Sequence, residues 1–164
     1  MDTKIFYKYL QTPIGCIEIT SNDTSIQSVK FVEELGVNSP IQTEVVNNCY
    51  VQLQEYFAGT RKDFTIALHQ NGTDFQQQVW KELLAIPFGT TISYLTLSKQ
   101  LGNAGAIRAV GTTNGKNKIA IIIPCHRVIG SNGKLTGYSG GLHRKQWLLE
   151  HEAKVIGTSN LLFG

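Results

Sequence analysis

SYLTLSKQLGNAGAIRAVGTTNGKN, residues 93–117, is the stretch whose reading decides the fold. Ser93 is a natural cap for YLTLSKQL, because a hydroxyl there can accept from the free amides of a first helical turn. Tyr94, Leu97 and Leu101 recur at helical spacing and share a face. Gly102-Asn103 is a tight-turn signal, and GAIRAVGTTNGKN predicts another helix that ends near Gly115. Two short helices across a glycine-containing turn predict a helix-turn-helix. Beyond it, KIAIIIP (118–124) predicts a strand, and RVIGSNGKLTGY (127–138) predicts a β-hairpin about Asn132-Gly133. LHRKQWLLEHE (142–152) predicts a closing helix. A helix-turn-helix followed by a hairpin describes a winged-helix-like, nucleic-acid-binding unit.

Upstream, Thr73 and Gln76 fit a capping box before DFQQQVWKELLAI. Phe75, Val79, Trp80, Leu83 and Leu84 form the apolar stripe of that helix. Residues 1–72 have a different texture. KIFYKYL alternates, with Ile5, Tyr7 and Tyr9 on one face; CIEIT alternates after a TPIG turn; IQSVKFV follows the polar turn SNDTS. Three short runs with tight connections predict an antiparallel meander. IQTEVVNNCYVQLQEYFAG changes to a helical period, with Ile41, Val45, Val46, Cys49, Leu53 and Phe57 on one face and Gly59 as its stop. DFTIAL (63–68) predicts one more strand, and HQNGT marks a boundary near residue 72. The expected architecture is α+β: an N-terminal three-stranded sheet-plus-helix domain, 1–72, and a mostly helical winged-helix-like domain, 73–164.

With 41% hydrophobic and 16% charged residues, 164 residues suffice for a packed core. No apolar run approaches the roughly 20 residues of a membrane span, and MDTKIFYKYL is not a secretory signal. Cys16, Cys49 and Cys125 are odd in number and form no CxxC pair, which reads as a reduced, cytoplasmic protein. The four histidines show no zinc-ligand spacing with them, so no metal is expected. GTTNGKN and GSNGKLTG lack the phosphate-loop spacing, and GNAGAIRAVG fails GxGxxG. Charge is asymmetric. Residues 1–73 hold 5 Lys+Arg against 8 Asp+Glu, and residues 74–164 hold 10 against 4. A basic C-terminal half suits a polyanionic partner.

IIIPCHRVIG, residues 121–130, carries the chemistry. Pro124 has a fixed φ and no N–H, so Cys125 is expected in a defined position at a strand end. A thiol is mostly protonated at pH 7, with an ordinary pKa of about 8.5, and its reactivity needs the thiolate. His126 and Arg127 are basic neighbours, but adjacent residues at a strand end point apart. His126 therefore reaches the thiol only through backbone irregularity or a bridging water. Cys49 lies in a helical apolar stripe and reads as packing; Cys16 carries no assignable chemistry.

PCHRVIG, with SY upstream, RAVG between them and GYSGGLHRKQWLLEHE downstream, resembles the O6-alkylguanine-DNA alkyltransferases. The likeness runs from about Thr73 to Glu152 in order and at family spacing, and YFAGTRKDF is similar to the more variable N-terminal domain. The resemblance implies that Cys125 takes the alkyl group from guanine O6 in double-stranded DNA. It implies that His126 is a water-mediated base oriented by Glu152, that Tyr138 hydrogen-bonds a guanine ring nitrogen, and that Ser139 helps hold the developing oxyanion. Val128 would line the base pocket. Asn117 would brace the active-site turn. Arg108 would fill the gap left by the flipped nucleotide, with Ala109 and Gly111 allowing close approach. Tyr94 would press on the neighbouring phosphate, and Gln76, Asn103 and Ser131 would make further DNA contacts. The implied protein is monomeric and uses no cofactor. The sequence departs from the family at three points: no proline precedes RAVG, Thr113 stands where a small residue is common, and Lys118 where many relatives have proline. Two other classes fit parts of the pattern: a winged-helix DNA-binding protein with a structural or redox-sensing cysteine, and a thiol hydrolase using Cys125 and His126.

Overall fold

The structure is a computed structural model that describes residues 4–158; the outer limits of the two expected domains lie outside the described residues. The chain forms two compact units, one ending at Gln70 and one beginning at Asn71.

The first unit is an antiparallel sheet in the order β1 (Phe6–Thr12), β2 (Gly15–Ser21), β3 (Ile26–Val32), followed by helix α1 (Glu44–Ala58). Pairing puts Leu10 opposite Ile17, and Ile17 opposite Phe31. Phe6, Leu10, Ile17, Ile19, Ile26 and Val29 are buried, as are Val46, Cys49, Leu53 and Tyr56 of α1. The Ile5–Tyr7–Tyr9 face predicted for the first strand is therefore the outer one, where the Tyr9 hydroxyl donates to Glu18 at 2.7 Å. Ile41 precedes the helix and is exposed, because Thr43 is the cap and accepts from the Val46 amide. Gly59 ends α1 in the left-handed region, as its sequence position predicts. DFTIAL does not form a strand. Only Leu68 bridges to Ile26, while the Gln52 side chain satisfies the Thr65 amide and hydroxyl at 3.0 and 2.9 Å. A side chain has taken the hydrogen bonds a neighbouring strand would have supplied.

The second unit contains α2 (Asp74–Leu84), α3 (Tyr94–Gln100), α4 (Ile107–Gly115) and α5 (Leu142–Ile156). The Thr73–Gln76 capping box forms, with Val79, Trp80 and Leu83 buried; Leu84 is exposed and stands outside that stripe. Ser93 caps α3 by accepting from the Thr96 amide at 3.0 Å. Gly102 turns the chain at φ +81, and Asn103 caps a 3₁₀ turn, Ala104–Ala106, that leads into α4. α3 and α4 pack together, and a Cβ at Gly111 would sit 4.0 Å from the Tyr94 ring.

Two sequence expectations fail here. KIAIIIP is not a strand but a buried succession of turns, with Ile121 at φ +72. The hairpin is not a paired ladder either. Gly130 N–H donates to Lys134 O and Gly133 N–H to Gly130 O, so the Asn132-Gly133 turn exists. Its first arm, β5 (Val128–Ile129), pairs in parallel with β4 (Ile92–Ser93) instead of with residues 134–138. No helix among the described residues is long and apolar enough to cross a membrane.

Candidate active site around Cys125

Cys125, His126 and Arg127 form one 3₁₀ turn, in which successive side chains diverge by about 120°. That is the backbone irregularity that replaces the expected strand end. All three are buried, Cys125 with only 3% of its surface exposed. The segment that leads into this turn is braced by Asn117. Its Nδ2 donates to Ile119 O and Ile123 O at 3.1 and 2.9 Å, and its Oδ1 accepts from the Ile119 amide at 3.0 Å. These bonds stand in for strand pairing across the buried turns.

Glu152 of α5 is fully buried and gathers the other side of the site. It accepts from His126 Nε2 at 2.7 Å, from Arg127 Nε and Nη2 at 2.9 and 3.1 Å, and from the Gly89 amide at 3.0 Å. Arg127 also donates to Ile86 O at 2.8 Å. Surrounded by these donors, the Glu152 carboxyl is held well below the usual carboxylate range despite its burial. Burial pushes His126 down, which outweighs the pull of Glu152, a carboxylate already neutralised by Arg127. A neutral His126 donates its Nε2 proton to Glu152, leaving Nδ1 with a lone pair. That Nδ1 is buried and makes no hydrogen bond, so it does not touch the thiol directly. Burial raises the Cys125 thiol; a hydrogen bond from the Asn117 side chain and the charge of Lys145 pull it back. The resting pair is thus a thiol and a free-base imidazole.

Gly89 joins this network at φ +79, and a Cβ there would strike the Ile156 side chain. Gly89→Ala is expected to lower stability by about 1–3 kcal/mol, read as a fall in the urea midpoint.

The expected site residues fall into two groups. Cys125, His126, Glu152, Asn117 and Val128 come together in the interior, and the Tyr138 hydroxyl is buried with no hydrogen-bond partner. Arg108, Asn103, Ser131 and Ser139 are exposed, with Tyr94 and Gln76 half-buried. The acceptors of Asn103 and Gln76 are committed to the Gly105 and Thr73 amides as caps. Lys145 escaped the sequence reading. Fully buried, it donates through Nζ to Val128 O at 2.6 Å and Thr136 O at 2.8 Å, tying the loop that carries Tyr138 to the strand after Cys125. Burial pushes its pKa down to about 8. Asn114 also escaped it; its Nδ2 donates to Cys125 O at 3.2 Å. Among the described residues, no three His, Cys, Asp or Glu side chains lie together as a metal site.

Fold and site together define a helix-turn-helix protein built around a buried cysteine. Residues 74–154 match the model of the 6-O-methylguanine DNA methyltransferase DNA-binding domain, and residues 5–70 that of its ribonuclease-like domain. A methylated-DNA–protein-cysteine methyltransferase of Mycobacterium bovis is 45% identical over 97% of this chain and 99% of its own length. The crystal structure of the Mycobacterium tuberculosis O6-methylguanine methyltransferase, 43% identical, superposes with a TM-score of 0.83 over 92% of this chain and 94% of that one. The same TM-score is found for Mycobacterium tuberculosis OGT in complex with DNA, 44% identical over 91% of this chain and 93% of that one. The chain belongs to the 6-O-methylguanine DNA methyltransferase family.

Proposed function

We propose that this protein repairs DNA by moving the alkyl group of O6-alkylguanine onto Cys125, once per molecule. The observation that carries the reading is the pair of buried, unpartnered polar atoms near a buried thiol, His126 Nδ1 and the Tyr138 hydroxyl. Each such atom costs about 1–3 kcal/mol when left unsatisfied, so a site that keeps them suits a polar guest. A guanine O6 lies inside the duplex, and the base must be extruded to reach an interior thiol.

In the proposed step the thiol proton passes through a water to His126 Nδ1. Sulfur attacks the alkyl carbon, the C–S bond forms and the C–O6 bond breaks with its electron pair leaving on the guanine. Tyr138 donates to a ring nitrogen and Ser139 to O6, and the proton held by His126 returns to the base. Guanine and S-alkylcysteine are the products, with no net change in protons. The step needs no cofactor or metal. The thioether has no easy path back to thiolate, so each chain reacts once, as a monomer. A thiol reagent must stay reduced, which suits the cytoplasm.

DNA would be held mostly through phosphates by the basic second unit. Arg108, exposed on α4, would enter the gap left by the flipped base, with Tyr94 at the adjacent phosphate and Gln76, Asn103 and Ser131 as outlying contacts. Arg108→Ala is expected to slow repair in a duplex by about 10-fold or more, because part of the few kcal/mol of unstacking is no longer offset, and to leave reaction with the free modified base unchanged. Equal losses on both substrates remove Arg108 from the flipping step. The function itself is tested by intact mass after incubation with an O6-methylguanine duplex. One methyl group per chain, located on the Cys125 peptide, is the expected result, and its absence overturns the proposal.

A further inference from the structure

We infer that Ile107 is an apolar wedge that presses on the base stack beside the flipped nucleotide; the inference rests on the reading above, in which α4 meets the duplex. Ile107 is the first residue of α4, and it leaves 40% of its surface exposed while Val110 of the same helix is fully buried. Besides Ile107 and Arg108, the exposed positions from Ala104 to Gly115 are Ala104, Gly105, Ala109, Thr112 and Gly115. Two large side chains therefore project from a face of small residues, and they are neighbours in the chain. A single exposed isoleucine is ordinary on a protein surface. What sets this one apart is its place beside Arg108 on a surface cleared of every other bulky group.

The charge of this region suits DNA as the occupant. Residues 74–164 hold 10 Lys+Arg against 4 Asp+Glu. The first turn of α4 has no acidic residue and no side-chain cap, so nothing there repels a phosphate or takes its place. Consecutive helical residues point about 100° apart. Arg108 and Ile107 thus cannot enter the same gap. With Arg108 in the space of the flipped nucleotide, Ile107 meets the stack next to it. A guanidinium can hydrogen-bond to base edges, whereas a branched apolar side chain gains only by covering the apolar faces of bases and sugars. Isoleucine pressed into a base step partly unstacks it and kinks the duplex. That lowers the cost of extruding the neighbouring nucleotide.

Ile107→Ala is expected to slow methyl transfer from an O6-methylguanine duplex by about 5-fold, the scale of one apolar side chain covered on binding. Reaction with the free modified base, which has no stack to part, is expected to stay unchanged. Ile107→Leu should restore most of the duplex rate, and Ile107→Asn, similar in size but polar, should not. The loss should appear again when Ile107→Ala is added to Arg108→Ala, because a wedge acts on the DNA directly and not by shaping its neighbour. A 2-aminopurine placed beside the lesion should brighten when the unmodified protein binds and brighten less with Ile107→Ala. An unchanged duplex rate, equal losses on duplex and free base, no further loss in the Arg108→Ala background, or equal brightening each overturns the inference and leaves repair itself standing. Weaker self-association of Ile107→Ala in sedimentation, with the duplex rate intact, assigns the residue to a contact between copies and overturns it too. Failure of the unmodified protein to accept methyl from the duplex is a separate result that removes the repair reading, and the inference with it.

Discussion

Cys125→Ala is expected to take up no methyl group from an O6-methylguanine duplex, while its affinity for that duplex stays within about threefold of the unmodified protein. Affinity is expected from basic surface and phosphate contacts, none of which involve a thiol with 3% exposure. Transfer is expected from sulfur alone. Neither remaining cysteine can substitute. Cys49 sits under the first-unit sheet, and burial without compensation pushes its pKa up to about 12. Cys16 belongs to β2 of the same unit, where its Sγ lies 3.0 Å from Gln11 Oε1. Cys125 suffers comparable burial but has three groups that favour its thiolate, the Asn117 side chain, Lys145 and its own backbone amide. Cys125→Ser retains the shape and is expected to be equally inactive, because a hydroxyl is far harder to ionise. Intact mass measures transfer and fluorescence anisotropy measures binding. A methyl gain on the alanine variant would sink the assignment of Cys125 as acceptor. Loss of transfer and binding together would make the residue structural, as in the rival reading of a DNA-binding protein with a structural cysteine.

Legibility in the sequence followed the physics of each element. The helix-turn-helix is legible because its signals are local: a serine cap on α3 and a glycine at positive φ in the turn that follows. KIAIIIP reads as a strand and is not one, because a short apolar run is compatible with any buried backbone. What decides it is Asn117, whose three bonds let turns be buried without a strand partner, and no pattern within the run reveals that. The Asn132-Gly133 turn was correctly placed, yet a turn signal does not choose the partner of the strand before it, and Val128–Ile129 pair with Ile92–Ser93, about 35 residues upstream. One signal was present and unused. Lys145, Leu148, Leu149 and Glu152 stand at helical spacing, so a lysine and a glutamate share the buried stripe of α5. Charged residues on a core-facing stripe need partners, and both find them in the site. Asn114 gave no such signal, since an asparagine near a helix end more often serves the backbone locally.

Glu152→Gln is the most severe change expected that leaves side-chain volume intact. The carboxylate accepts four kinds of N–H, from His126, from Arg127 at two nitrogens and from Gly89. A glutamine has one accepting oxygen, and its NH₂ must face some of those donors. Arg127, buried and always charged, loses its counter-charge. Breaking one side of a buried pair costs about 3–5 kcal/mol, and urea denaturation at pH 7 should show a loss of that order in the second unit. The pH dependence gives an independent check. Glu152 is depressed far below its ordinary 4.5, so its contribution is fully present above about pH 4.5 and is lost progressively as pH falls below it. The unmodified protein and Glu152→Gln should therefore differ most at neutral pH and converge in acid. Transfer should suffer as well. Without a carboxylate to accept the Nε2 proton, His126 is no longer held with its lone pair on Nδ1, and the rate is expected to fall by about 10-fold or more in the folded variant. Equal stability at pH 7 would mean that Glu152 is not the counter-charge of this network, and a stability gap that persists unchanged to pH 3 would mean that the carboxylate is not what ionises there.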